Sequence, residues 1–218
     1  MRVALMFSMA LLAMGCGITV DMRNQGATVV APMDVEKVAI PLVVVLDEVP
    51  DIMSTAGNEG QAKVVEVREI RAYLKRTFAS VMGRYFDQVI VQGTEPVPSG
   101  RFLRMRVRFD AIGTDAQQHV AYATSARGGS GMAIGGTITP WLTWALAIND
   151  SETGEELFSA AAQTISTSSY GVRGGAPPAF VRCFQLFHQE VLDGMNEQQF
   201  WARFADPGET VGSAPVEP

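Results

Sequence analysis

The chain is poor in the residues that build metal and nucleophile sites. It has two cysteines, Cys16 and Cys183, and two histidines, His119 and His188, in unrelated contexts. A metal site needs such ligands clustered, so none is expected, and no cofactor is implied. No Ser-His-Asp set stands out. The adjacent acids Asp47 with Glu48, and Glu155 with Glu156, would point to opposite faces of a strand and so form no dyad. The expectation is that the protein is not an enzyme. A basic excess is also missing. The formal net charge is −6, which argues against nucleic acid as a partner.

Charge of either sign is absent from three stretches. Residues 3–18 carry none, nor do residues 128–148 or 157–172; the last two are separated by the charged turn "NDSETG". The first stretch follows Arg2 and contains about a dozen apolar residues. That suits a secretory signal and is too short to span a bilayer.

The first stretch ends in "LLAMGCGI", residues 11–18. This resembles a bacterial lipoprotein signal peptide, whose lipobox ends in Leu, a small residue, Gly or Ala, then Cys. Gly15 and Cys16 match; Ala13 and Met14 stand where Leu and a small residue are preferred. The resemblance implies that Cys16 is diacylated and that residues 1–15 are removed as a signal peptide. The membrane is then a partner through the N-terminal lipid. In that class an Asp after the cysteine favours inner-membrane retention. Gly17 therefore implies sorting to the outer membrane, with the domain facing the periplasm.

With Cys16 acylated, Cys183 has no intramolecular partner. Its context, "AFVRCFQLF", is apolar and helical, so a buried thiol is expected. The lipidated N-terminus and a tether occupy residues 16–34. A single domain occupies 35–205, and "DPGETVGSAPVEP", residues 206–218, reads as a disordered acidic tail.

Within the domain, residues 35–49 read as a buried strand. Val67, Ile70, Leu74, Phe78, Val81 and Tyr85 recur at intervals of three and four, predicting a helix over 61–85. Residues 86–93 read as a strand. So does "RFLRMRVRF", residues 101–109, with Leu103, Met105, Val107 and Phe109 on one face. Residues 141–148 and 155–166 form a hairpin across the polar turn. Pro177 and Pro178 open a second helix, with a stripe of Phe180, Phe184, Phe187, Val191 and Met195. This order predicts a two-layer α+β domain, a mostly antiparallel sheet with two amphipathic helices on one face. The order is similar to that of small envelope lipoproteins, including the lipopolysaccharide-assembly type.

Arg104, Arg106 and Arg108 share the other face of the 101–109 strand, at spacings of about 6.6–6.8 Å. The expectation is a solvated row paired with carboxylates on neighbouring strands, such as Glu156. The functional reading is a contact for an acidic partner or lipid headgroups. "SARGGSGMAIGG", residues 125–136, reads as a flexible loop. Gly129, Gly131 and Gly135 only echo a phosphate loop, without its GK[ST].

These features favour an accessory or scaffold subunit of a bacterial envelope assembly. One alternative is a lipid- or lipopolysaccharide-handling lipoprotein, which needs an apolar pocket between helices and sheet. Another is an oligomeric pore, in which the uncharged 128–172 hairpin inserts with Trp141 and Trp144 at the interface. An envelope protein complex is the expected partner, and a homo-oligomer is the pore's requirement.

Overall fold

The computed structural model describes residues 18–26, 34–55, 65–93, 96–124, 130–170 and 176–204. The signal segment, Cys16, Gly17 and the acidic tail lie outside the described residues.

The fold is α+β. A six-stranded sheet has the order β5-β2-β6-β7-β8, from β5 (Val89–Val91), β2 (Leu42–Val45), β6 (Leu103–Thr124), β7 (Ser130–Asp150) and β8 (Glu156–Ile165). Its sixth strand, β9 (Ser168–Tyr170), pairs with β7. The β5-β2-β6 half is parallel and the remainder antiparallel, so the sheet is mixed. A second sheet, β1-β4-β3, joins β1 (Ile18–Asp21), β4 (Val65–Arg68) and β3 (Ile52–Ser54).

Both helices cover one face of the larger sheet. α1 (Ile70–Met82) buries Ile70, Leu74, Phe78 and Val81, as the spacing predicts, and Tyr73 beside them. It is shorter than the predicted helix because Val65–Arg68 alternates as a strand. Glu69 then takes a left-handed conformation (φ 61°) that turns the chain into the helix. α2 (Ala176–Glu197) buries Phe180, Cys183, Phe184, Phe187 and Val191. Phe187 meets Trp144 edge-on at 5.0 Å and Phe109 at 5.2 Å, while Tyr73 meets Phe184 at 5.9 Å. Each such buried aromatic contributes roughly 1.5–3 kcal/mol relative to exposure. A 3₁₀ turn, Trp201–Arg203, packs Trp201 against Tyr85 and Phe86.

Three expectations are corrected. The chain from Ile18 is not a tether: β1 pairs in parallel with β4, and Val20 and Met22 are fully buried. The Arg76 guanidinium donates to the Met22 carbonyl at 3.2 Å. Next, "SARGGSGMAIGG" is not a loop throughout, since Gly131 and Gly135 belong to β7; Gly129 lies outside the described residues. Finally, within the uncharged 128–172 region, the described apolar row from Ile138 to Phe158 does not point outward. Leu142, Trp144, Leu146, Ile148 and Phe158 are core, and the Trp144 indole N–H donates to Thr164 at 2.9 Å.

β6 and β7 are 22 and 21 residues long and pair from Leu103↔Asp150 to Thr124↔Ser130. A bulge between Phe109 and Ala111 shifts the register. Beyond it Gly113 lies opposite Trp141, whose ring crosses its backbone so closely that a Cβ would stand 2.0 Å from Cζ2. Past this point the two strands continue as an arm.

Candidate docking face and anchor

The face of the six-stranded sheet away from the helices carries the arginine row beside a small buried apolar cluster. The cluster consists of Val43, Ile90 and Phe102, with Val45 beside it. Leu103, Met105, Val107 and Phe109 point to the core, so alternation turns Arg104, Arg106 and Arg108 to this open face. The Arg104 guanidinium lies over the Phe102 ring, 5.5 Å from its centre. Arg106 is exposed, between Val45 of β2 and Ala147 of β7. Arg108 pairs with Asp110 on its own strand, Nε to Oδ1 at 2.8 Å.

The expected pairing with Glu156 does not occur. Glu156 lies opposite Asn149 on β8, and β7 stands between β8 and the arginines. The β7 residues opposite the stripe are Asn149, Ala147 and Ala145, none of them acidic. Among the described residues neither Arg104 nor Arg106 has a carboxylate within ion-pair distance. Two depressions flank the row. One of about 390 Å³ lies between Glu48, Arg106, Arg108, Ala145, Ala147 and Ala161. The other, of about 500 Å³, lies between Arg104, Arg106, Asp47, Glu48 and Gln92. Sequence reasoning found the arginines but missed the alanine bed beside them. Ala145 and Ala147 look like ordinary strand filler until the register sets them opposite the cations.

At the end of the row, Arg101 and Asp150 form a clamp at 2.7 Å. The Arg101 hydrogen bond holds the Asp150 carboxyl below its ordinary value, and the Glu152 and Thr153 amides donate to the same group. Glu155 of the adjacent acidic pair bonds Arg203 at 3.1 Å.

The space between helices and sheet is filled by Tyr73, Phe78, Phe109, Trp144, Phe184 and Phe187, all 5 % exposed or less. Cys183 is part of this core. Its thiol lies 3.5 Å from the Thr164 carbonyl, and burial pushes its pKa up to about 12, so it is a poor nucleophile. His188 is also fully buried. Its Nδ1 bonds the Phe184 carbonyl at 2.9 Å, which assigns the proton there, and burial lowers its pKa to about 4. His119 is on β6, far along the chain from His188. Among the described residues no His, Cys, Asp and Glu group could hold a metal ion. No helix among them is long and apolar enough to cross a membrane.

Cys16 lies outside the described residues, but β1 begins at Ile18. Two residues span about 7 Å at most. An acyl group on Cys16 would therefore hold the domain close against its membrane.

No known protein family matches the sequence, and no curated protein does. Among solved structures, a Xanthomonas campestris protein of the DUF330 family aligns with a TM-score of 0.46 and 11% identity, over 84% of this chain and 98% of that one. A neuraminyllactose-binding hemagglutinin homolog from Helicobacter pylori aligns with a TM-score of 0.35 and 9% identity, over 86% and 96%. Likenesses this distant carry no assignment.

Proposed function

We propose that the protein is a lipid-anchored accessory or scaffold subunit of a bacterial envelope assembly. It is held by Cys16 on the periplasmic face of the outer membrane and docks an acidic partner on its open sheet face. The observation that carries this reading is the row Arg104, Arg106 and Arg108 set beside neutral Ala145 and Ala147 on the sheet face away from the helices. A guanidinium row with no acidic residue opposite it on β7 is poised for charge-assisted bonds to a partner's carboxylates. The filled interlayer space supports a scaffold over a lipid-handling protein, which would need an apolar pocket there.

The test is crosslinking in intact cells. A photoreactive residue replacing Ala147 should capture an envelope protein identifiable by mass spectrometry. Changing Arg104, Arg106 and Arg108 together to Gln should cut the adduct several-fold. An adduct unchanged by the triple substitution, or no adduct, would count against the docking face.

A further inference from the structure

The docking face carries a repeat that a merely charged surface does not need. Strand register sets it. Val45 of β2, Arg106 of β6, Ala147 of β7 and Ser159 of β8 lie abreast. Arg108 lies abreast of Ala145 and Ala161, and Arg104 abreast of Val43 and Asn149. Residues directly opposite each other share a face of the sheet. The long arginine side chains therefore form a ridge along β6, and the short side chains of β7 and β8 form a floor beside it. Ridge and floor border the depression of about 390 Å³, which Glu48 also lines. Across the ridge, the depression of about 500 Å³ has Val43, Val45, Phe102 and the exposed Val97 in its wall.

Spacing selects what can lie in this trough. The arginines recur at every second residue, about 6.6–6.8 Å apart. An extended segment alongside β6 turns every second side chain to the ridge at that same spacing. A helix presents its positions i and i+4 only about 6 Å apart, so it is out of step by about 1.5 Å at the third arginine. Alanine and serine also stop short of the guanidinium groups, which leaves room for a backbone beside the ridge.

Charge selects the side chains. Among the described residues Arg104 and Arg106 have no ion pair, whereas Arg108 already has Asp110. The β7 and β8 positions abreast of the ridge are all uncharged. Two acids line the depressions from the chain after β2. Asp47 accepts a hydrogen bond from the Gln92 amide at 3.2 Å. Glu48 is exposed and lines both depressions beside Arg106.

We propose that the occupant of the trough is an extended acidic segment of the partner, with carboxylates at alternate positions. Residues i and i+2 of that segment pair with Arg104 and Arg106, and its backbone runs over Ala145 and Ala147. Such an occupant presupposes the docking face of the proposed function and gives its chemistry. Glu48 opposes any acidic segment there, so it weakens binding and penalises carboxylates that are out of step.

The test measures fluorescence anisotropy of two labelled peptides on the full chain. Both have the same length, charge and composition, glutamate among threonines. In one the glutamates fall at every second position, in the other at every third. The first should bind about tenfold more tightly, as expected for two exposed ion pairs gained together. Arg104→Gln with Arg106→Gln should erase that preference, and Arg108→Gln should cost less. Glu48→Gln should tighten the alternating peptide by about threefold. Ala145→Leu raises the floor and should remove the preference. The peptide comparison on the parent chain needs no variant to fold, and thermal melts matching the parent's qualify each variant.

Equal affinities, or tighter binding of a helical peptide with glutamate at every fourth position, would overturn the extended segment. Equal affinities with both peptides displaced by glycerol phosphate would give the row to lipid headgroups instead. The crosslink from position 147 in cells separates this occupant from the reading beneath it. An adduct lost in the triple Gln variant, together with equal peptide affinities, keeps the docking face and overturns the alternating segment. The peptide preference without an adduct keeps the trough's specificity and drops the envelope partner.

Discussion

Arg106 on β6 lies opposite Ala147 of β7 on one side and Val45 of β2 on the other, so no carboxylate faces it across either strand. Its neighbours in the same row are Arg104 and Arg108, and among the described residues the row's one ion pair is Asp110 with Arg108. Arg106→Gln should therefore leave stability within about 0.5 kcal/mol of the parent or raise it, as expected for an exposed site without partners. It should nonetheless weaken crosslinking from the open face. Denaturant melts and adduct yield on the same variant separate the two effects. A large stability loss would mean that the row is structural.

Gly113 and Trp141 set the geometry where the arm leaves the domain. A side chain at 113 has no room, because the indole ring lies 2.0 Å from the Cβ position. Gly113→Val should cost about 1–3 kcal/mol through displacement of the ring. Tryptophan emission should shift red as Trp141, already half-buried, becomes wetter. An unchanged melt and spectrum would show that the ring moves aside freely.

His188 gives the fold a pH dependence whose sign is fixed. Burial lowers its folded pKa to about 4 from 6.5, so the unfolded chain binds the proton more readily. Stability from this residue is fully present above pH 6.5 and falls as pH drops toward 4, by on the order of 3 kcal/mol in all. The depressed carboxyl of Asp150 adds a further loss at lower pH. His188→Phe should flatten the profile between pH 6.5 and 4. A variant with the parent's slope would assign that slope to another group.

Parts of this structure were legible in the sequence, and the physics explains which. The α1 and α2 stripes were readable because helical spacing is local, and Phe78, Phe184 and Phe187 are core as predicted. The alternation at Leu103, Met105, Val107 and Phe109 was readable for the same reason. It breaks where the bulge after Phe109 adds a residue: Ile112, not Ala111, is next buried, so the alternation stops there while the strand runs on to Thr124. β1 was hidden because its partner, β4, is more than forty residues away and the strand has only four residues. The arginine row could be read from spacing, but its lack of facing acids depends on strand order. A single sequence does not reveal that β7 separates β6 from Glu156.

Everything proposed for function depends on where the chain is held, and Ile18, two residues beyond Cys16, is already in a strand. The most direct measurement is fractionation of cells grown with labelled palmitate, comparing the parent with Cys16→Ser. The account predicts that the parent is labelled and sediments with outer membranes, while the variant is unlabelled and loses that retention. A Cys16→Ser protein that is processed normally and remains membrane-held would contradict it.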